Sequence, residues 1–146
     1  MLKTYLLQKD ICDTICTMPN LTFLARTLDI TGLVDYLRQI GPFTLFAPDD
    51  DAFEKAPHCV LKLFNSDRQA MLDIFKYHIV AKQKVFADDI IQTGELQTIC
   101  GDKLTITPKY GRFLVDTARV HQTDIECSNG IIHTIDSVML PARTSN

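Results

Sequence analysis

No apolar run in this sequence approaches the roughly 20 residues that span a bilayer as a helix. Nor is there a stripe of one charge: 15 basic residues are scattered among 18 acidic ones, and the net charge is −3. Neutralising a run of phosphates needs such a stripe, so nucleic acid is not an expected partner. The sequence also lacks a Gly-rich phosphate loop, a Cys-x-x-Cys pair, a His-Glu-x-x-His zinc motif and an Arg-Gly-Asp triplet. Met1 to Asp10 carries no continuous apolar core of the kind a signal peptide needs. As it stands the chain reads as cytoplasmic, or as extracellular or periplasmic after loss of a leader.

What is present suits one domain over residues 1–146. A chain of that length buries about two thirds of its unfolded surface and needs no disulfide or metal to fold. The five cysteines are Cys12, Cys16, Cys59, Cys100 and Cys127, an odd number that leaves at least one thiol outside any intramolecular pairing. They read as small buried apolar residues. Cys12 and Cys16 share a helical face, but no neighbouring His or Cys completes a metal site. Bridged, free and metal-bound states all stay open for that pair, and no metal or cofactor is expected.

The first 41 residues read as helices. Leu7, Ile11 and Ile15 form one stripe, and Met18-Pro19-Asn20 interrupts it. Asn20 is expected to cap a second helix carrying Leu21, Leu24, Ala25 and Leu28, and Thr31 a third that stops at Gly41. Pro42 ends this region, and residues 43–47 read as a buried strand. Asp49 then caps a helical turn through Phe53. Further helices are expected at 60–64 and, capped by Ser66, at about 67–77. A strand opens at His78.

After Lys84 short alternating runs recur at 96–99, 103–107, 112–116, 125–127, 131–135 and 137–140. Turns are expected at Gly101-Asp102, Tyr110-Gly111 and Asn129-Gly130, the last with positive backbone angles. Helices first and strands after, without βαβ alternation, define an α+β domain.

Two segments carry the most pattern. Thr44-Leu45-Phe46-Ala47-Pro48-Asp49-Asp50-Asp51-Ala52-Phe53 is a strand, a forced stop and a helix cap. Asn129-Gly130-Ile131-Ile132-His133-Thr134-Ile135-Asp136, running on to Pro141, is a turn feeding a buried strand. Both resemble the signature segments of fasciclin domains. Tyr77-His78 matches that family's Tyr-His pair, and the lead-in ending Gly32-Leu33-Val34-Asp35-Tyr36-Leu37 is similar too. Thr134 departs from the usual apolar residue.

The resemblance covers essentially the whole chain. It implies a fasciclin-like α+β fold, an antiparallel β-sandwich or wedge with several short, mostly N-terminal helices. Phe46, Ala47, Pro48, Asp49, Phe53, Asn129, Gly130, His133 and Asp136 would be its structural motif residues. It also implies a non-enzymatic adhesion or protein-binding module with a protein or cell-surface partner. In adhesion proteins of the family the Tyr-His pair and an Asp-Ile pair are tied to integrin binding, which here marks Tyr77, His78, Asp124 and Ile125. The alternative is a carrier of a small apolar ligand, a pigment or lipid, held in a groove between helices and sheet.

Bland readings accompany these candidates. Asp49-Asp50-Asp51 lacks the central Gly and closing acid of a calcium loop and sits where acids favour a helix N-terminus. His133, Asp136 and Ser137 lie along one strand with no nucleophile elbow, so no catalytic residue is expected. Asn20-Leu21-Thr22 matches a glycosylation sequon, but Asn20 already serves as a cap. Replacing Asp124 by Ala is expected to leave stability nearly intact.

Overall fold

A computed structural model describes residues 9–56, 58, 62, 66–109 and 112–140. Helix α1 (Ile11–Thr17) begins at Asp10, whose carboxylate accepts the Asp13 N–H at 2.8 Å. Ile11 and Ile15 are buried, as the stripe requires, while Leu7 lies outside the described residues.

Helix α2 (Thr22–Thr31) is capped from a distance, not by Asn20. Asp50 Oδ1 accepts the Phe23 N–H at 3.0 Å, and Oδ2 accepts the Thr22 hydroxyl at 2.7 Å. Asn20 instead offers its carbonyl to the Asp50 N–H at 2.9 Å. Thr31 does not cap the third helix either. Its hydroxyl donates back to the Thr27 carbonyl at 2.8 Å, closing α2. Gly32, at φ 80, makes the sharp junction to α3 (Leu33–Leu37), a left-handed conformation that favours glycine.

Strand β1 (Phe43–Pro48) is buried along its whole length. Asp49 caps α4 (Asp50–Glu54) by accepting the Ala52 N–H at 2.8 Å, as the sequence indicates. Helix α5 (Arg68–Lys76) starts at Asp67, which accepts from Ala70 N–H, so the expected Ser66 cap is one residue early. Strand β2 (Ile79–Ala81) follows. The helix expected at 60–64, Cys59, the Tyr110-Gly111 turn and Pro141 lie outside the described residues.

The second half holds one element that periodicity does not show. Helix α6 (Ala87–Thr93) lies before the first run expected after Lys84, where no element was expected, and it buries only Ile90. A single buried residue leaves no stripe to read, and Phe86 provides no side-chain cap. Strands β3 (Glu95–Gln97), β4 (Lys103–Lys109), β5 (Arg112–Val115), β6 (Ala118–Arg119), β7 (Ile125–Cys127) and β8 (Gly130–Ile135) complete the order. Residues 137–140 are not a strand, contrary to the expectation, and β6 was not expected.

Two four-stranded sheets result, ordered β2-β1-β8-β7 and β3-β4-β5-β6. The α+β class holds, but the first sheet is mixed: β1 runs parallel to β8, from Phe43 opposite Gly130 to Pro48 opposite Ile135. The two signature segments are therefore neighbours in one sheet. Both central strands are covered on both faces. Leu45 and Ile132 pack on Leu24, Leu28 and Phe75 of the helices. Phe46 and Ile135 pack on Leu104, Phe113 and Val115 of the second sheet. Burial on two faces explains why β1 and β8 read as continuous apolar runs, while Lys103–Lys109 alternates early on and is solvated on one side.

Candidate functional site

Asn129 stands where three helical and strand ends meet. Its Oδ1 accepts the Ile11 N–H at 3.0 Å, an orphan donor of the first turn of α1. Its Nδ2 donates to the carbonyls of Leu37 at 2.6 Å and Gln39 at 2.8 Å, the end of α3. Its own carbonyl accepts the Phe43 N–H that opens β1. Gly130 follows without the positive φ expected of the turn. Glycine is required there for a different reason: a Cβ would overlap the Phe43 carbonyl oxygen and the Ile11 Cδ1.

The two buried histidines act as staples with a fixed tautomer. His78 is 0% exposed; Nδ1–H donates to the Ile74 carbonyl at 2.8 Å and Nε2 accepts the Met139 N–H at 3.0 Å. His133 uses the opposite tautomer, donating Nε2–H to the Val85 carbonyl at 2.8 Å while Nδ1 accepts the Asp124 N–H at 3.1 Å. Burial pushes His78 down to about 4, against the smaller opposing pull of the Ile74 carbonyl. Burial likewise lowers His133, despite the Val85 bond and nearby Asp124. Both rings are therefore neutral at pH 7, and the 3.9 Å approach of Asp124 Oδ1 to His133 Nδ1 is not an ion pair.

Tyr77 is 5% exposed, and its hydroxyl donates to Asp116 Oδ2 at 2.6 Å, with the Lys103 carbonyl at 3.2 Å. Burial first, then Asp116, raises its phenol. Asp116 Oδ1 also accepts the Thr105 N–H at 2.9 Å, so one acid ties α5 to the second sheet. Sequence reasoning passed over Asp116; its signal is a polar residue at a positive φ of 55° between two short strands.

Asp124 also has a positive φ, 59°, and its Oδ1 accepts the Ala87 N–H at 2.8 Å, which caps α6 from 37 residues away. This cap gives Asp124 a structural contact and runs against the expectation that its loss leaves stability nearly intact. Ile125 is half-buried against the helical core. Of the four residues marked for partner contact, Tyr77 and His78 present almost no surface, and Asp124 alone keeps substantial exposure, at 40%.

Asp136 accepts the Arg119 N–H at 2.8 Å and donates its own N–H to the Arg119 carbonyl, which closes the edge of β6. Phe46 stacks on His133 with ring centres 5.6 Å apart, and Phe53 stacks on Phe75 at 5.7 Å. Ala47 and Pro48 are buried in β1. Asp49 and Asp50 are both caps, and among the described residues no three His, Cys, Asp or Glu side chains gather as a metal site would need. Cys12 and Cys127 are buried as expected, whereas Cys16 is exposed. Cys12 and Cys16 are not bridged. Burial pushes the Cys12 thiol up to about 11.

Two kinds of recess open at the surface. One, of about 360 Å³, lies among α1, α2 and α3, between Cys16, Arg26 and Arg38. Another, of about 680 Å³, lies on the second sheet and is lined by Lys109, Arg112, Leu114, Arg119 and His121. It adjoins a hollow of about 250 Å³ beside Ala87, Asp88 and Ile91 of α6.

The fold and the motif geometry define a small α+β domain in which two signature strands lie side by side, fixed by buried Asn and His. The fasciclin domain profile matches residues 19–141, and the chain belongs to the fasciclin domain family. Protein sll1483 of Synechocystis sp. is 36% identical over 126 residues, covering 84% of this chain and 69% of that protein. Stabilin-1 of Mus musculus is 34% identical over 112 residues, covering 75% of this chain but 4% of stabilin-1. Among solved structures, a FAS1 domain pair from the insect cell adhesion molecule fasciclin I superposes with a TM-score of 0.80. That match covers 93% of this chain and 52% of the other at 22% identity, a likeness of fold.

Proposed function

We propose that this domain is a non-enzymatic interaction module that binds a protein or cell-surface partner. The observation that carries this reading is the use of the motif chemistry. Tyr77, His78 and His133 are each engaged with backbone or carboxylate partners inside the fold, and Asp49, Asp124 and Asp136 each accept a backbone N–H. A hydrolytic centre needs a nucleophile, base and acid in mutual contact and open to substrate. Here the two imidazoles are neutral staples, and Ser137 bonds to Asp136, not to a histidine. The insect structure comes from a cell adhesion molecule, which accords with a module that acts through its surface.

The carrier alternative calls for an apolar groove between helices and sheet. That boundary is filled by Leu24, Leu28, Leu45, Phe75 and Ile132, so macromolecular contact is the reading we adopt. Immobilised domain, exposed to extract from the native source, tests it, with mass spectrometry of retained proteins and small molecules. A protein retained in fixed ratio, and displaced by free domain, supports the proposal. Retention of a small apolar molecule with no protein would replace it by the carrier reading.

A further inference from the structure

The second sheet carries a cationic groove that the signature segments do not account for. In β4 and β5, Lys109 stands directly opposite Arg112, and Leu114 of β5 stands opposite Arg119 of β6. Side chains alternate along a strand, and Phe113 and Val115 point into the core. Arg112 and Leu114 therefore share the solvent face with Lys109 and Arg119. All four line the recess of about 680 Å³, together with His121.

Three features mark this face as a docking surface. Among the described residues no acid lies within ion-pair distance of Lys109, Arg112 or Arg119; the cations that are paired are Arg38, Lys55 and Lys84. Like charges directly opposite across a strand pair are destabilising, so Lys109 facing Arg112 is an arrangement that an anion would relieve. The concentration of positive charge also runs against a chain whose net charge is −3. One acid, Asp88, lines the adjoining hollow, and Asp49 Oδ2 lies 3.2 Å from His121 Nδ1.

We infer that this groove docks an extended acidic segment of a protein partner. The inference rests on the interaction-module reading and names its surface and chemistry. In an extended chain, residues on one side repeat about every 6.8 Å. The groove advances by one such step from Arg112 to Leu114 along β5, and Arg119 stands beside Leu114 on the neighbouring strand. Alternate carboxylates can thus face first the Lys109–Arg112 row and then Arg119, with the arginines offering paired N–H donors. Leu114 lies between them as an apolar floor.

The test uses a fluorescein-labelled peptide of alternating Glu and Ser, read by anisotropy against the wild-type domain and an R112E/R119E variant. Both side chains are exposed, and circular dichroism checks that the variant folds. We expect binding at low salt, weakened about tenfold by the double reversal and severalfold between about 50 and 200 mM salt. Should the double variant fail to fold, the single Arg112→Gln and Arg119→Gln proteins are each expected to lose about threefold. Equal binding by wild type and variants, or none by wild type, overturns the inference. Binding of dextran sulfate without binding of the peptide also overturns it, in favour of an anionic polysaccharide. Capture from native extract separates the two claims. A partner retained equally by wild type and R112E/R119E sinks the groove and leaves the interaction module standing, whereas no partner retained by wild type sinks the module itself.

Discussion

Replacing Asn129 by Ala removes three hydrogen bonds at once, to Ile11 N–H and to the carbonyls of Leu37 and Gln39. Asn129 is 8% exposed, so water does not substitute freely. Gln39 is exposed, and its carbonyl can be rehydrated; Ile11 and Leu37 are fully buried, and their groups cannot. Leaving a buried polar group unsatisfied costs about 1–3 kcal/mol, so two such groups give a loss of about 2–6 kcal/mol. The sequence has no Trp, so urea unfolding is best followed by far-ultraviolet circular dichroism. At slopes of about 1–3 kcal/mol per molar urea, the midpoint falls by about 1–3 M with the slope unchanged. Asn129→Asp sharpens the test. It keeps an acceptor for Ile11 but turns an oxygen toward two carbonyls, which raises that carboxyl above its unfolded value. A raised carboxyl binds more protons in the folded state, so this variant is expected to regain stability as pH falls toward the unfolded carboxyl range near 3.9. A loss below about 0.5 kcal/mol for Asn129→Ala would refute the clamp.

Four further outcomes follow from the same geometry. Gly130→Val is expected to cost more than about 2 kcal/mol through overlap with the Phe43 carbonyl, and thermal melting near that of wild type would show that β1 and β8 can separate there. Asp124→Ala removes the α6 cap and places Ala at a positive φ, for a loss of about 1–3 kcal/mol, while Asp124→Asn retains most of the stability; equal melting temperatures for all three proteins would contradict the cap. Tyr77→Phe deletes the hydroxyl bond to Asp116 and is expected to cost about 1–2 kcal/mol in urea unfolding, with no loss counting against that tie. For His78, the folded value of about 4 lies below the unfolded 6.5, so its neutral form stabilises fully above pH 6.5. That contribution, up to about 3 kcal/mol, is lost as pH falls toward 4, and a urea midpoint flat from pH 7 to about 4.5 would contradict the staple.

The parts of the fold written in local chemistry were legible. Phe43–Pro48 read as a strand because it is apolar and ends in Pro, and Asp49 read as a cap because an acid there meets the next N–H groups. What escaped was chemistry supplied from far along the chain. Asn20, Thr31 and Ser66 were reasonable local caps, yet α2 takes its cap from Asp50, Gly32 makes the junction to α3, and α5 begins at Asp67. Helix α6 was missed because it buries one residue and is capped by Asp124, a residue marked only for partner contact. Asn-Gly was located correctly but explained by the wrong cause: close approach of the Phe43 backbone, not a positive φ, excludes a side chain at 130. The basic groove could not be seen linearly, because Lys109, Arg112 and Arg119 are scattered in sequence and converge only when β4, β5 and β6 pair.

The central claim is that the signature segments build the domain while its exposed face binds. It is tested most directly by the affinity of a captured partner for three folded proteins: wild type, Asp124→Asn and R112E/R119E. Asp124→Asn keeps the cap and loses only charge, so its affinity should stay within about twofold of wild type, while the groove variant loses about tenfold. A tenfold loss with Asp124→Asn, and none with R112E/R119E, would contradict the claim and return the binding function to the Asp124-Ile125 pair.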